Sequence, residues 1–114
     1  MPKDFNRVHL CGIIGEDYKY GKTQNGSEYA TFSLCLNSYD KEEADSTERK
    51  HPQVFIRIFV YDKRQVEYLK RMKAHQGMRL YVNGRLSSLK NEYKGVSFMT
   101  NNVVCRDLGI IQTK

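Results

Sequence analysis

A chain of 114 residues is the size of one domain and can bury one hydrophobic core. With 39% hydrophobic and 28% charged residues it has the balance of a soluble globular protein, and no apolar run approaches the roughly 20 residues of a membrane helix. The net charge of +6 makes a polyanion the leading partner.

The first stretch, NRVHLCGIIG (6–15), alternates as a strand, with Gly12 and Gly15 marking places to bend or bulge. The start, MPKDFNRVHL, has no apolar segment and carries Asp4, so it reads as neither a secretory signal nor a transit peptide. A mature chain whose leader was already removed would read the same way. Residues 18–39 carry Asn25-Gly26, a strong hairpin signal, and then Ala30, Phe32, Leu34 and Leu36 on one face of a long strand. Residues 40–52 are charged, lack an apolar period and end in Pro52, which predicts a flexible loop.

QVFIRIFVYDK (53–63) is the third long strand. Val54, Ile56, Ile58 and Val60 lie on one face; Phe55, Arg57, Phe59 and Tyr61 lie on the other, with Lys63 just beyond. Residues 62–77 predict the one helix: Asp62 and Gln65 resemble a capping box, Val66, Leu69 and Met72 share a face, and Gly77 suits the stop. Lys70, Arg71 and Lys73 near its end complement the helix dipole or meet a ligand. MRLYVNGRLSSLK (78–90) alternates Met78, Leu80, Val82 and Leu86 against Arg79, Tyr81, Asn83 and Arg85. NEYKG (91–95) predicts a turn and residues 96–111 a final, less regular strand.

Three strands, a helix and two more strands cannot form a parallel sheet, which needs a crossover helix between most strands. The order predicts an all-β fold, a five-stranded OB-fold Greek-key barrel with one helix between strands 3 and 4, in a single domain spanning 1–114. Such a barrel binds oligonucleotides or oligosaccharides on its strand 2–3 face, where the aromatic side of QVFIRIFVYDK falls.

Charge is uneven: residues 40–50 hold five acids and three bases, whereas residues 57–94 hold ten bases and three acids. Cys11, Cys35 and Cys105 form no CxxC and read as buried small hydrophobes in a reducing compartment. His9, His51 and His75 share no metal-ligand spacing with each other or with the cysteines, so no metal site is expected. GEDYKYGKT only imitates a phosphate loop, since Gly15 and Gly21 are one residue too far apart and no helix follows. Glu42 and Glu43 sit in a charge run with no positioned base, so no catalytic residue is assigned and the chain is not read as an enzyme. Asn25-Gly26-Ser27 is a formal glycosylation sequon that matters only on a secreted chain.

NRVHLCGIIGED, the Asn-Gly hairpin into ATFSLCLNSYDK, the third strand and GMRLYVNGRL together resemble the single-stranded DNA-binding proteins of bacterial and mitochondrial type, over about residues 5–111. The resemblance implies a homotetramer that wraps single-stranded DNA without strong sequence preference and has neither catalysis nor cofactor. By position it implies stacking by Tyr39, Phe55 and Tyr61, with Arg57 on a phosphate between the last two. A further family aromatic aligns with Asn91, for which Tyr93 is the substitute. Lys63, Arg85, Lys90 and Arg7 fall near basic positions of the track, and Lys41 is assigned from the loop. Phe59 is expected to pack against another subunit.

The chain has no Trp, which the family often uses for stacking, and stops at DLGIIQTK without the acidic, Phe-containing tail of bacterial members. With the NRVHL start, this places the resemblance closest to mitochondrial members in DNA replication and repair, located in the matrix or nucleoid, with replication proteins as further partners and no membrane. A bacterial cytoplasmic form is the second location. The alternative function is an OB-fold adaptor, or an RNA-binding or primosomal module with weak DNA binding.

Overall fold

The computed structural model describes residues 4–37 and 53–112. Among these it forms β1 (Val8–Ile14), β2 (Lys19–Lys22), β3 (Glu28–Asn37), β4 (Gln53–Val60), α1 (Lys63–Arg71), β5 (Arg79–Tyr93) and β6 (Val96–Gln112). The sheet order is β1-β5-β6-β4-β3-β2, and a β1–β3 contact curls it into a barrel. This is the OB-fold expected from the strand order. The additional strand, β2, is the short first arm of the Asn25-Gly26 hairpin.

That hairpin is closed by Gly26, which sits at φ +84°, a region that side chains with a Cβ rarely adopt. Its amide donates to the Thr23 carbonyl at 2.9 Å, and the Thr23 amide donates to the Ser27 carbonyl at 2.8 Å. The β1–β3 closure is short, Ile13 opposite Cys35 and Ile14 opposite Leu34. It requires Gly12, where a Cβ would lie 2.5 Å from the Cys35 carbonyl oxygen. β4 meets β6 in parallel over three pairs only, Arg57–Asn102 to Phe59–Val104, while every other ladder is antiparallel.

Alternation in the sequence becomes a sorted interior. Phe32, Leu34, Ile58, Val60, Leu80, Val82 and Val103 are wholly buried, and Val66 and Leu69 press one face of α1 onto them. Fully burying one such side chain is worth about 1.5–3 kcal/mol. Val54, from the same face of β4, is exposed because that end of the strand runs past the core. Leu86 is likewise exposed. Past the Ser87–Asn102 pair, where β6 no longer meets β4, β5 and β6 leave the barrel as a long two-stranded ribbon.

The helix is shorter than its pattern. Asp62 caps it by accepting from the Arg64 amide at 2.8 Å. Gln65 does not complete a capping box: its Nε2 donates to the Arg106 carbonyl at 2.7 Å, which ties the helix to β6. The helix ends at Arg71 with Met72 as a half-exposed C-cap, and Lys73 takes the left-handed turn at φ 55°. Gly77, expected to be the stop, instead turns the chain into β5 at φ 96°. The predicted turn over 91–95 narrows to Lys94 and Gly95, both at positive φ, and β5 and β6 continue to its edge.

Candidate nucleic-acid interface

Residues opposite each other in a ladder share a face, so the register alone lays out the barrel wall outside the core. One rung runs Arg85, Val104, Phe59, Thr31, Lys19. The next runs Ser87, Asn102, Arg57, Ser33. Phe55 and Cys35 lie one step further along β4 and β3, and Tyr61 follows the end of β4. The Phe59 rung therefore has aromatic character at its centre and a basic residue at each end.

The aromatic side chains are of two kinds. Phe59 is half-buried, lying parallel to Tyr61 (centroids 5.9 Å apart, planes 4° from parallel), with Tyr29 tilted against Tyr61 at 5.6 Å and Phe59 at 6.4 Å. This three-ring stack holds Tyr61 upright while leaving 47% of it exposed. Burial first, and Tyr29 second, push the Tyr61 phenol above its ordinary range, so it stays neutral. Phe55 stands apart from the stack, 60% exposed, at the edge of a groove of about 360 Å³ lined by Ile13, Cys35, Gln76 and Gly77.

Arg57 is not a free cation. Its Nη2 is ion-paired with Asp17, from the turn between β1 and β2. The same carboxylate accepts from the Ser33 amide at 2.9 Å and the Ser33 hydroxyl at 2.8 Å. Burial raises the Asp17 carboxyl, but these two bonds and the Arg57 charge outweigh it and hold it below the usual carboxylate range. The other terminal nitrogen of Arg57, Nη1, is buried with no hydrogen-bond partner.

The other basic candidates separate. Lys63 opens α1 beside Tyr61, lining a cavity of about 410 Å³ with Ser27, Glu28 and Glu67. Arg7 and Arg85 meet in a cleft of about 580 Å³ that also takes Phe5 and Arg106. Lys90 pairs with Met99 and lies on the ribbon face opposite Tyr93. Tyr39 and Lys41, with the loop expected to be flexible, lie outside the described residues.

On the ribbon, Asn91 is half-buried and donates to the Thr100 hydroxyl at 2.8 Å, so it braces the two strands. Directly opposite it is Phe98, which is 45% exposed. Phe98 shares a ribbon face with Leu89, Tyr93 and Val96, and this face continues into Asn102 beside Arg57. Phe98, Lys19 and Arg106 are the residues sequence reading missed. The signal for Phe98 was present: Asn91 and Phe98 are equidistant from the Lys94-Gly95 turn. Among the described residues no group of three or more His, Cys, Asp or Glu gathers to hold a metal ion.

A curled sheet of this topology, with rings exposed on one wall and arginines at its flank, defines an oligonucleotide-type OB barrel. Residues 5–111 match the Single-strand binding protein family, and the chain belongs to it. It is 28% identical to the single-stranded DNA-binding protein of Rickettsia felis over 108 residues, 94% of this chain and 70% of that one. The Rickettsia typhi protein matches equally. Among solved structures it is similar to the Plasmodium falciparum SSB in complex with ssDNA, with TM-score 0.80 and 26% identity over 98% of this chain and 99% of that one. The fold is also that of Rim1, the mitochondrial single-stranded DNA-binding protein of S. cerevisiae, with TM-score 0.72 and 18% identity over 98% and 100% of the two chains.

Proposed function

We propose that this protein binds single-stranded DNA without strong sequence preference, holding bases on aromatic rings and phosphates on the flanking cations. The observation that carries the proposal is the wall on which Phe55, Tyr61, Tyr93 and Phe98 are all substantially exposed. Aromatic faces reward only bases that are unstacked, at about 1–3 kcal/mol per base, and they tolerate any sequence because every base has a π-face. Cations alone would favour the denser charge of duplex DNA. Rings and charge together select the single strand.

In this reading a strand passes over Phe55 and the Tyr61 stack and continues along the ribbon face of Tyr93 and Phe98. Arg85, Lys63 and Arg7 neutralise phosphates at its margins, and Arg57 lies between the rings. The chain works as a homotetramer around which the strand wraps. Supporting self-association, among the described residues β1 pairs with β3 only at Ile13 and Ile14, which leaves its Val8–Cys11 edge open to another strand. The setting is DNA replication and repair, with replication proteins as partners. The likeness to a yeast mitochondrial protein supports an organellar location, and the Rickettsia relatives support the bacterial cytoplasm as the second one.

The test is titration with poly(dT) of increasing length while recording the mass of the complex, with single-stranded RNA and duplex DNA as competitors. A stable multi-chain complex that prefers dT over duplex supports the reading. Equal affinity for duplex, or a marked preference for RNA, overturns it.

A further inference from the structure

The Arg57–Asp17 pair does more than join two segments of chain. Asp17 belongs to no strand, yet both of its oxygens are committed: Oδ1 takes the Ser33 amide, and Oδ2 takes the Ser33 hydroxyl and Arg57 Nη2. Ser33 is the residue directly opposite Arg57 on β3. The carboxylate is thus fixed over the rung that carries Arg57, between the Phe55 and Phe59 positions. A guanidinium with a purely structural task satisfies its donors, and the fork suits a bidentate partner. Here one amine is on the carboxylate while Nη1 is buried and unpartnered.

That geometry has a consequence for any anion approaching this wall. Nη1 is out of reach, and the accessible amine is occupied. The pair itself is only partly covered, with side-chain exposures of 33% for Arg57 and 37% for Asp17, so it can be opened from solvent. A phosphodiester offers the charged oxygen acceptors that the guanidinium fork recognises, as a carboxylate does. We infer that Asp17 is a built-in phosphate surrogate: its carboxylate holds the place on Arg57 that a backbone phosphate takes on binding, and so sets the tightness of strand capture. The inference rests on the single-strand binding proposed above. Asp17 acts through Arg57 as a positioning residue and touches no ligand itself.

The experiment measures dT oligomer affinity against salt concentration for the wild type, Asp17→Asn, Arg57→Gln, the double variant, and Glu16→Gln as a control for simple loss of a nearby exposed acid. The phosphate reaches Arg57 in both proteins, so Asp17→Asn keeps the wild-type slope of log affinity on log salt, whereas Arg57→Gln loses one phosphate contact and flattens it by about 0.7. With no ion pair to open, Asp17→Asn tightens binding about two- to fivefold at low salt, the range set by an exposed ion pair. Neither Glu16→Gln nor the double variant shows this gain. Unchanged affinity in Asp17→Asn, or a gain that survives Arg57→Gln, overturns the inference. Failure of both Asp17→Asn and Asp17→Ser to fold makes the carboxylate a structural clasp and overturns it equally. A wild type that binds no single strand removes the functional proposal as well. A wild type that binds, with no gain in affinity on Asp17→Asn, removes the surrogate alone.

Discussion

Truncating Phe55 separates a ligand platform from a structural ring. The side chain is 60% exposed and belongs to none of the ring pairs that link Tyr29, Phe59 and Tyr61. A buried Phe→Ala costs about 3–5 kcal/mol of stability. With less than half of the ring in contact, Phe55→Ala should cost well under half of that and leave the urea midpoint nearly unchanged. Loss of one stacked base removes about 1–3 kcal/mol of binding, or roughly five- to 150-fold in affinity at 1.4 kcal/mol per decade. Tyr61→Ala is the informative contrast. It should lose a similar factor in binding and also about 0.5–1.5 kcal/mol of stability through the broken ring pair with Phe59. Fluorescence anisotropy of a labelled dT oligomer gives the first quantity and urea unfolding the second. Unchanged binding in the Phe55→Ala/Tyr61→Ala double variant would refute the platform. A collapse of subunit assembly in Phe55→Ala with intact monomer affinity would reassign the ring to a protein contact.

Other expectations concern the barrel itself. Leu80, wholly buried, should cost about 2–5 kcal/mol on Leu80→Ala, read as a shift in urea midpoint at constant slope. Burial first, and then Asp107, push the Cys105 thiol up to about 12, so it stays protonated and resists iodoacetamide at pH 8, while exposed Cys11 alkylates; peptide mass spectrometry distinguishes the two. The depressed Asp17 carboxyl stabilises the fold fully above its unfolded value of 3.8, and that contribution is lost as pH falls through its lower folded value. The difference in urea midpoint between wild type and Asp17→Asn should therefore shrink from pH 5 to pH 3; a difference that grows would contradict the sign.

The strand pattern was legible because alternation is a local property. Ile58, Val60, Leu80 and Val82 announce their burial from their neighbours alone, and the order of strands and helix left few ways to close a sheet. The exposed rings on QVFIRIFVYDK were legible for the same reason. What sequence could not reveal were pairings made across the chain. Gln65 satisfies the spacing of a capping box but finds a better acceptor in the Arg106 carbonyl, 41 residues away. Arg57 reads as a free cation until the turn before β2 brings Asp17 onto it. Leu86 and Val54 follow the apolar period and yet are exposed, because periodicity tells which way a side chain points but not where the core ends.

The two-pair junction between β1 and β3 sets an order of events when the wall loosens. Free energy of local opening scales with the contacts that must break, and this seam has far fewer than the fifteen-pair ladder joining β5 to β6. The Gly15 amide, which donates to the Ser33 carbonyl at the end of this seam, should trade with deuterium before those of Leu80 or Val82, well short of global unfolding. The groove beside Phe55 borders that seam. A strand seated there would act as a latch across the barrel's thinnest stitch, and its departure would be felt first in the breathing of β1.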